Sequence, residues 1–168
     1  IFAEVAGILP RPSFWIGGPG VIIPDERPWE VAQRDYEFVS HLEALRPRIV
    51  GAGNLERFDY WLNTFRSMRA NAQVNCTWAR YNEAIKKVKA EKDAGKQRRL
   101  ARELALPIRT ELVTAVGEVH RSLLASVTTP GGMGNVTTWQ QHIMPSLLTA
   151  PGEALSQLLG EPLPADAV

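Results

Sequence analysis

Between Gly53 and Gly95 the chain contains neither glycine nor proline, and no other stretch runs as long without a helix breaker. Within it Leu55, Phe58, Leu62, Phe65, Met68 and Ala72 recur at spacings of three and four, followed by Cys76, Ala79, Ile85 and Val88 with some drift in phase. That spacing puts apolar side chains on one face of a helix. Asn54 is a residue type suited to an N-cap, so the segment predicts a helix from Asn54 to about Ala90. At ~1.5 Å per residue it would be on the order of 55 Å long, more than a domain of this size usually needs. The β-branched residues and Asn gathered at Val74–Thr77 therefore suggest a break there.

The rest of the chain is organised around this interval. The polar turn Lys92-Asp-Ala-Gly95 predicts a reversal. A second helix follows from about Lys96 to Val127, with Leu100, Leu104, Ile108, Leu112, Val116, Val119 and Leu123 on its inner face and a kink at Pro107. Upstream, Trp29, Ala32, Tyr36 and Val39 mark a helix from about Pro28 to Leu45, ended by Arg46-Pro47. Downstream, Thr128–Gly134 reads as a loop, Asn135 or Thr137 caps a short helix from Thr138 to about Leu148, and Pro151 opens another that ends at Gly160. The expectation is an all-α fold of about five helices dominated by a long antiparallel helix pair. The extended Gly/Pro-rich N-terminal segment, residues 1–27, packs on a helical domain at 28–160. A short strand at Val21–Ile23 is one option within that segment, and 161–168 forms a loose tail. The opening IFAEVAGILPRP reads as chain from inside a longer protein.

Composition narrows the function classes. The 168 residues are 45% hydrophobic and 22% charged, with 19 Lys+Arg against 18 Asp+Glu, which fits one globular domain and not a disordered tail. The basic run from Lys86 to Arg102 is interrupted by Glu91 and Asp93 and lacks interleaved aromatics, so it reads as a solvated hairpin tip and no nucleic-acid partner is expected. Cys76 is the only cysteine, and His41, His120 and His142 stand far apart in sequence; neither a local metal motif nor a cofactor is expected. No apolar run reaches the length of a membrane span. There is no G-x-S-x-G elbow or P-loop, Glu118 and His120 face different directions on a helix, and no catalytic residue is assigned. Asn75-Cys-Thr77 and Asn135-Val-Thr137 are chance matches to the glycosylation acceptor pattern.

The chain does carry five tryptophans. The segment TTPGGMGNVTTWQQH places Trp139 among amide, imidazole and glycine-rich elements, a mixture suited to a sugar's apolar face and hydroxyl rim. Asn135, Trp139, Gln140 and His142 are the candidate substrate-binding residues. On the alternative reading, Trp139 anchors a short helix in the core and the polar groups satisfy backbone.

The phrases SFWIGGPGVIIPDERPWE, GNLERFDYWLNTFR and TTPGGMGNVTTWQQHIMP resemble the C-terminal helical region of large bacterial agarase-like glycoside hydrolases. The resemblance implies a secreted or periplasmic, polysaccharide-active enzyme whose catalytic carboxylates lie in an upstream barrel domain. The implied partners are that upstream catalytic domain of the same polypeptide and a polysaccharide or oligosaccharide. This chain has no βα alternation from which to build such a barrel. The different class left open is a non-catalytic helical interaction or scaffolding module.

Overall fold

The computed structural model describes residues 22–168, and over that range the fold is all-helical with no strand. The helical segments fall into four runs. The first holds α1 (Trp29–Ala32) and α2 (Glu37–Leu45), the second α3 (Ala52–Ala90), the third α4 (Ala94–Leu100) and α5 (Leu106–Ala125), and the fourth α6 (Met133–Thr138) and α7 (Met144–Leu159). Residues 1–21, which carry most of the expected N-terminal extended segment, lie outside the described residues. Ile22 and Ile23 form no strand.

The long helix runs unbroken through Val74–Thr77, so the expected break is absent. The reason is burial: Val74, Cys76 and Thr77 are all buried, and the Thr77 hydroxyl donates to the Gln73 carbonyl at 2.8 Å. Packing outweighs the few tenths of a kcal/mol that such residues lose in helix propensity. The helix starts at Ala52 and not at an Asn54 cap. Gly51, at φ 93°, supplies the turn into it, a left-handed conformation that favours glycine. Asn54 instead donates from Nδ2 to the Val50 carbonyl at 2.9 Å.

Contacts between α3 and the third run fall in reverse order of residue number. Asn63 reaches the Ala125 carbonyl at 3.1 Å, Arg80 pairs with Glu111 at 2.6 Å, and Gln97 reaches the Val88 carbonyl at 3.3 Å. Between them lies one core cluster that includes Val74, Tyr81, Ala84 and Val88 of α3, Leu112, Ala115, Val116 and Val119 of α5, and Leu147, Leu155 and Leu159 of α7. Each fully buried leucine is worth about 1.5–3 kcal/mol relative to exposure.

Proline explains the irregularities. A proline lacks the N–H that its helix needs and its ring crowds the carbonyl four residues back. A π-helical turn at Ala101–Ala105 directly precedes Leu106-Pro107, and another at Trp139–Ile143 precedes Met144-Pro145. In each case the wider turn accommodates the proline within a continuing helix. At Pro151 the solution differs. Two helices meeting there were expected, but α7 passes straight through it, because Arg109 takes over the missing donor. The Arg109 guanidinium donates from Nη1 to the Leu147 carbonyl, which Pro151 leaves without its helical partner, and from Nη2 to Leu148, each at 2.8 Å. Its Nε donates to the Ala167 carbonyl at 2.8 Å. The segment after Gly160 is therefore anchored where a loose tail was expected. Ala167 is fully buried, the Ser156 hydroxyl donates to the Glu161 carbonyl, and Arg102 pairs with the Glu161 carboxylate.

Candidate functional site

The four residues singled out from the sequence do not share one environment. Trp139 sits in the π-turn and is only 7% exposed, packed within the core cluster. Its ring offers no open face for stacking on a sugar, so the core-anchoring alternative describes this residue. The helical phase explains it: Val136, Trp139, Ile143 and Leu147 are all buried on one side of the fourth run. The Trp139 indole N–H has no hydrogen-bond partner among the described residues. Asn135, Gln140 and His142 are exposed. Gln140 lies 2.8 Å from the His120 ring nitrogen, and so bonds a neighbouring helix and not the backbone.

Nor do the other titratable groups converge. Glu118 pairs with Arg121 one helical turn away. No group of three or more His, Cys, Asp or Glu side chains among the described residues is placed to hold a metal ion. Cys76 is buried, and burial raises its thiol pKa, which makes it a poor nucleophile near neutral pH. A groove of about 600 Å³ among the described residues is lined by Arg109, Leu148, Gly152, Glu153 and Leu163, among others. Desolvation lowers the pKa of the Arg109 guanidinium. This arginine is a structural clamp, with bonds from all three of its nitrogens to carbonyl oxygens.

The opposite end of α3 is different. Phe65 meets Phe38 of α2 edge-on with ring centroids 5.2 Å apart, and stacks on Trp61 at 5.9 Å. Trp61 in turn meets Tyr60 at 5.2 Å, and Phe38 meets Tyr36 at 6.4 Å. The result is a continuous row of five rings carried by α2, by Tyr36 at its N-cap and by α3. Trp61 is 55% exposed, and Phe38 and Tyr60 are also open to solvent. Alongside runs a groove of about 430 Å³ lined by Leu42, Arg48, Ile49, Val50, Phe58, Leu62 and others. Ion pairs fix the two helices that carry the row: Arg66 and Arg69 hold the Glu43 carboxylate at 2.8 and 3.3 Å, and Arg46 holds Asp59 at 2.7 Å.

No protein-family model, curated protein or solved structure matches this chain.

The aromatic row was missed from sequence because Phe58, Leu62, Phe65 and Met68 read as an inward stripe. Leu62 is buried, but Met68 is exposed and Phe58 and Phe65 are only half covered. The available signal was the density of rings in FDYWLNTF, which exceeds what one core-facing stripe uses.

Proposed function

We propose that this chain is a non-catalytic helical interaction module that docks on a partner through the aromatic row of α2 and α3. The observation that carries this reading is the row itself. Exposed single apolar residues are ordinary, whereas contiguous exposed apolar patches on a domain mark interaction surfaces, and tryptophan, tyrosine and arginine are the residues that dominate binding energy at interfaces. The long antiparallel helix pair then serves as a rigid post that presents this surface. The resemblance to agarase-like hydrolases supplies a setting: the helical C-terminal part of a secreted polysaccharide-active enzyme, with the upstream catalytic domain of the same polypeptide as the partner. A direct sugar contact through Asn135, Gln140 and His142 is the weaker reading, because the ring that would stack is buried.

A photoreactive amino acid placed at position 61, and separately at Lys89 on the far end of α3, tests the proposal in the native host. The expected result is one discrete cross-linked product from position 61, lost when Phe38 is also changed to Ser, and none from position 89. Absence of a product from position 61, or equal yields from both positions, would contradict it.

A further inference from the structure

The aromatic row does not say what kind of partner it fits, but the groove beside it does. Its floor and walls are aliphatic and aromatic, from Leu42, Ile49, Phe58 and Leu62, and two arginines, Arg48 and Arg57, stand among them. Among the described residues no acidic side chain lines this groove. Nearby arginines are neutralised: Arg46 by Asp59, and Arg66 and Arg69 by Glu43. Arg48 and Arg57 meet no carboxylate among the described residues, and Arg57 donates only to the Asn54 side-chain carbonyl at 2.9 Å. An apolar slot with unneutralised guanidinium groups is complementary to an apolar ligand that carries negative charge. The guanidinium fork suits carboxylates in particular.

Resting on the docking role given above, we propose that the groove binds an acidic peptide segment of a partner protein, with a bulky apolar side chain seated between Leu42, Ile49 and Phe58 and flanking carboxylates on Arg48 and Arg57. A saccharide is the poorer occupant. Its many hydroxyls would find few partners here, since most of the lining is apolar, the Asn54 amide is already bonded to the Val50 carbonyl and to Arg57, and polar groups desolvated without partners are costly. A peptide presents an aliphatic or aromatic group to the slot and keeps its polar backbone at the rim. This is the arrangement in which apolar anchors occupy a groove and charges fix register.

The test uses the full chain, immobilised, and a displayed library of random 12-residue peptides. The expected result is enrichment of peptides that combine Asp or Glu with Trp, Phe or Leu. Their affinity should fall about tenfold or more for Arg48→Glu/Arg57→Glu, while the variant retains its helical circular dichroism, and charge-swapped lysine peptides should recover binding to that variant. Selected peptides that are not acidic, or that bind the charge-reversed variant equally but lose binding in Trp61→Ala, would overturn the acidic assignment and leave the docking role standing. Enrichment of nothing that depends on Trp61 would overturn both. Two further outcomes would assign the surface elsewhere and contradict the peptide proposal: displacement of selected peptides by an anionic oligosaccharide that itself binds with Arg48 dependence, or concentration-dependent dimerisation abolished by Trp61→Ala.

Discussion

Trp61 and Trp139 stand at opposite extremes of burial, the one 55% and the other 7% exposed. Trp139 lies where α3, α5 and α7 converge, enclosed by aliphatic side chains in a region where prolines are absorbed by π-turns or by the Arg109 clamp. Trp61 lies near the start of α3, where α2 packs on the helix through a row of five aromatic rings and Trp61 itself is exposed. Buried residues of α3 beyond position 70 are mostly small or branched, such as Ala72, Val74, Ala79, Ala84 and Val88, which lets the other helices approach closely. Before position 70 α3 carries the large rings Phe58, Tyr60, Trp61 and Phe65, of which Tyr60 and Trp61 are exposed and Phe58 and Phe65 half-buried. One helix thus has two unlike halves: its distal half builds the core, and its proximal half leaves aromatic side chains exposed.

Substitutions at the two ends should separate sharply. The largest effect is expected for Trp139→Ala, a loss of about 3–5 kcal/mol in urea unfolding, typical of removing a buried aromatic ring. Arg109→Met should follow, at roughly 3 kcal/mol, because the Leu147, Leu148 and Ala167 carbonyls lose their donor and a buried acceptor without one costs about 1–3 kcal/mol. Arg109→Lys should not restore the loss, since one ammonium cannot span three carbonyls as the planar guanidinium does. Gly152→Ala is expected to cost on the order of 1 kcal/mol or somewhat more, because the added Cβ would lie 3.0 Å from the Arg109 Nη2 atom. Combined with Arg109→Met, which removes that atom, the penalty should shrink, and a double-mutant cycle of unfolding free energies measures the coupling.

At the exposed end the effects should be slight. Glu43 has its carboxyl pKa lowered, first by the hydrogen bond from Arg66. A carboxylate whose folded pKa is depressed stabilises the fold above its unfolded pKa, and loses that contribution as pH falls through the folded value. Chemical unfolding of the native chain and of Glu43→Gln, compared at pH 7 and pH 3, should show a small stability difference at pH 7 that closes at pH 3. A difference that widened on acidification would contradict the assignment.

Much of the helical layout was legible in residue spacing, because the interval without glycine or proline and the stripe Leu112, Val116 and Val119 follow from local periodicity. What misled was proline. Pro151 read as a helix start, and its accommodation depends on Arg109, a residue 42 positions earlier in sequence whose role no local pattern reveals. The tail from Glu161 read as loose for the same reason, since its anchor at Ala167 is that same guanidinium. In the candidate site, Asn135, Gln140 and His142 are exposed as a binding role needs, but Trp139 is not. A tryptophan among polar neighbours in sequence says little about its helical face, and the phase Val136, Trp139, Ile143 was the better guide. The aromatic row stayed hidden because its rings come from two helices, with Phe38 and Phe65 brought together only by the fold.

If the proximal end of α3 is a docking surface, as proposed, it contributes little to stability. Affinity for library-selected peptides, measured on the folded Phe38→Ala/Trp61→Ala variant beside its urea midpoint, tests this most directly. At least a tenfold loss of affinity is expected with a stability change of less than about 1 kcal/mol, as for surface positions away from the core. Unchanged affinity, or a stability loss as large as that of Trp139→Ala, would contradict it.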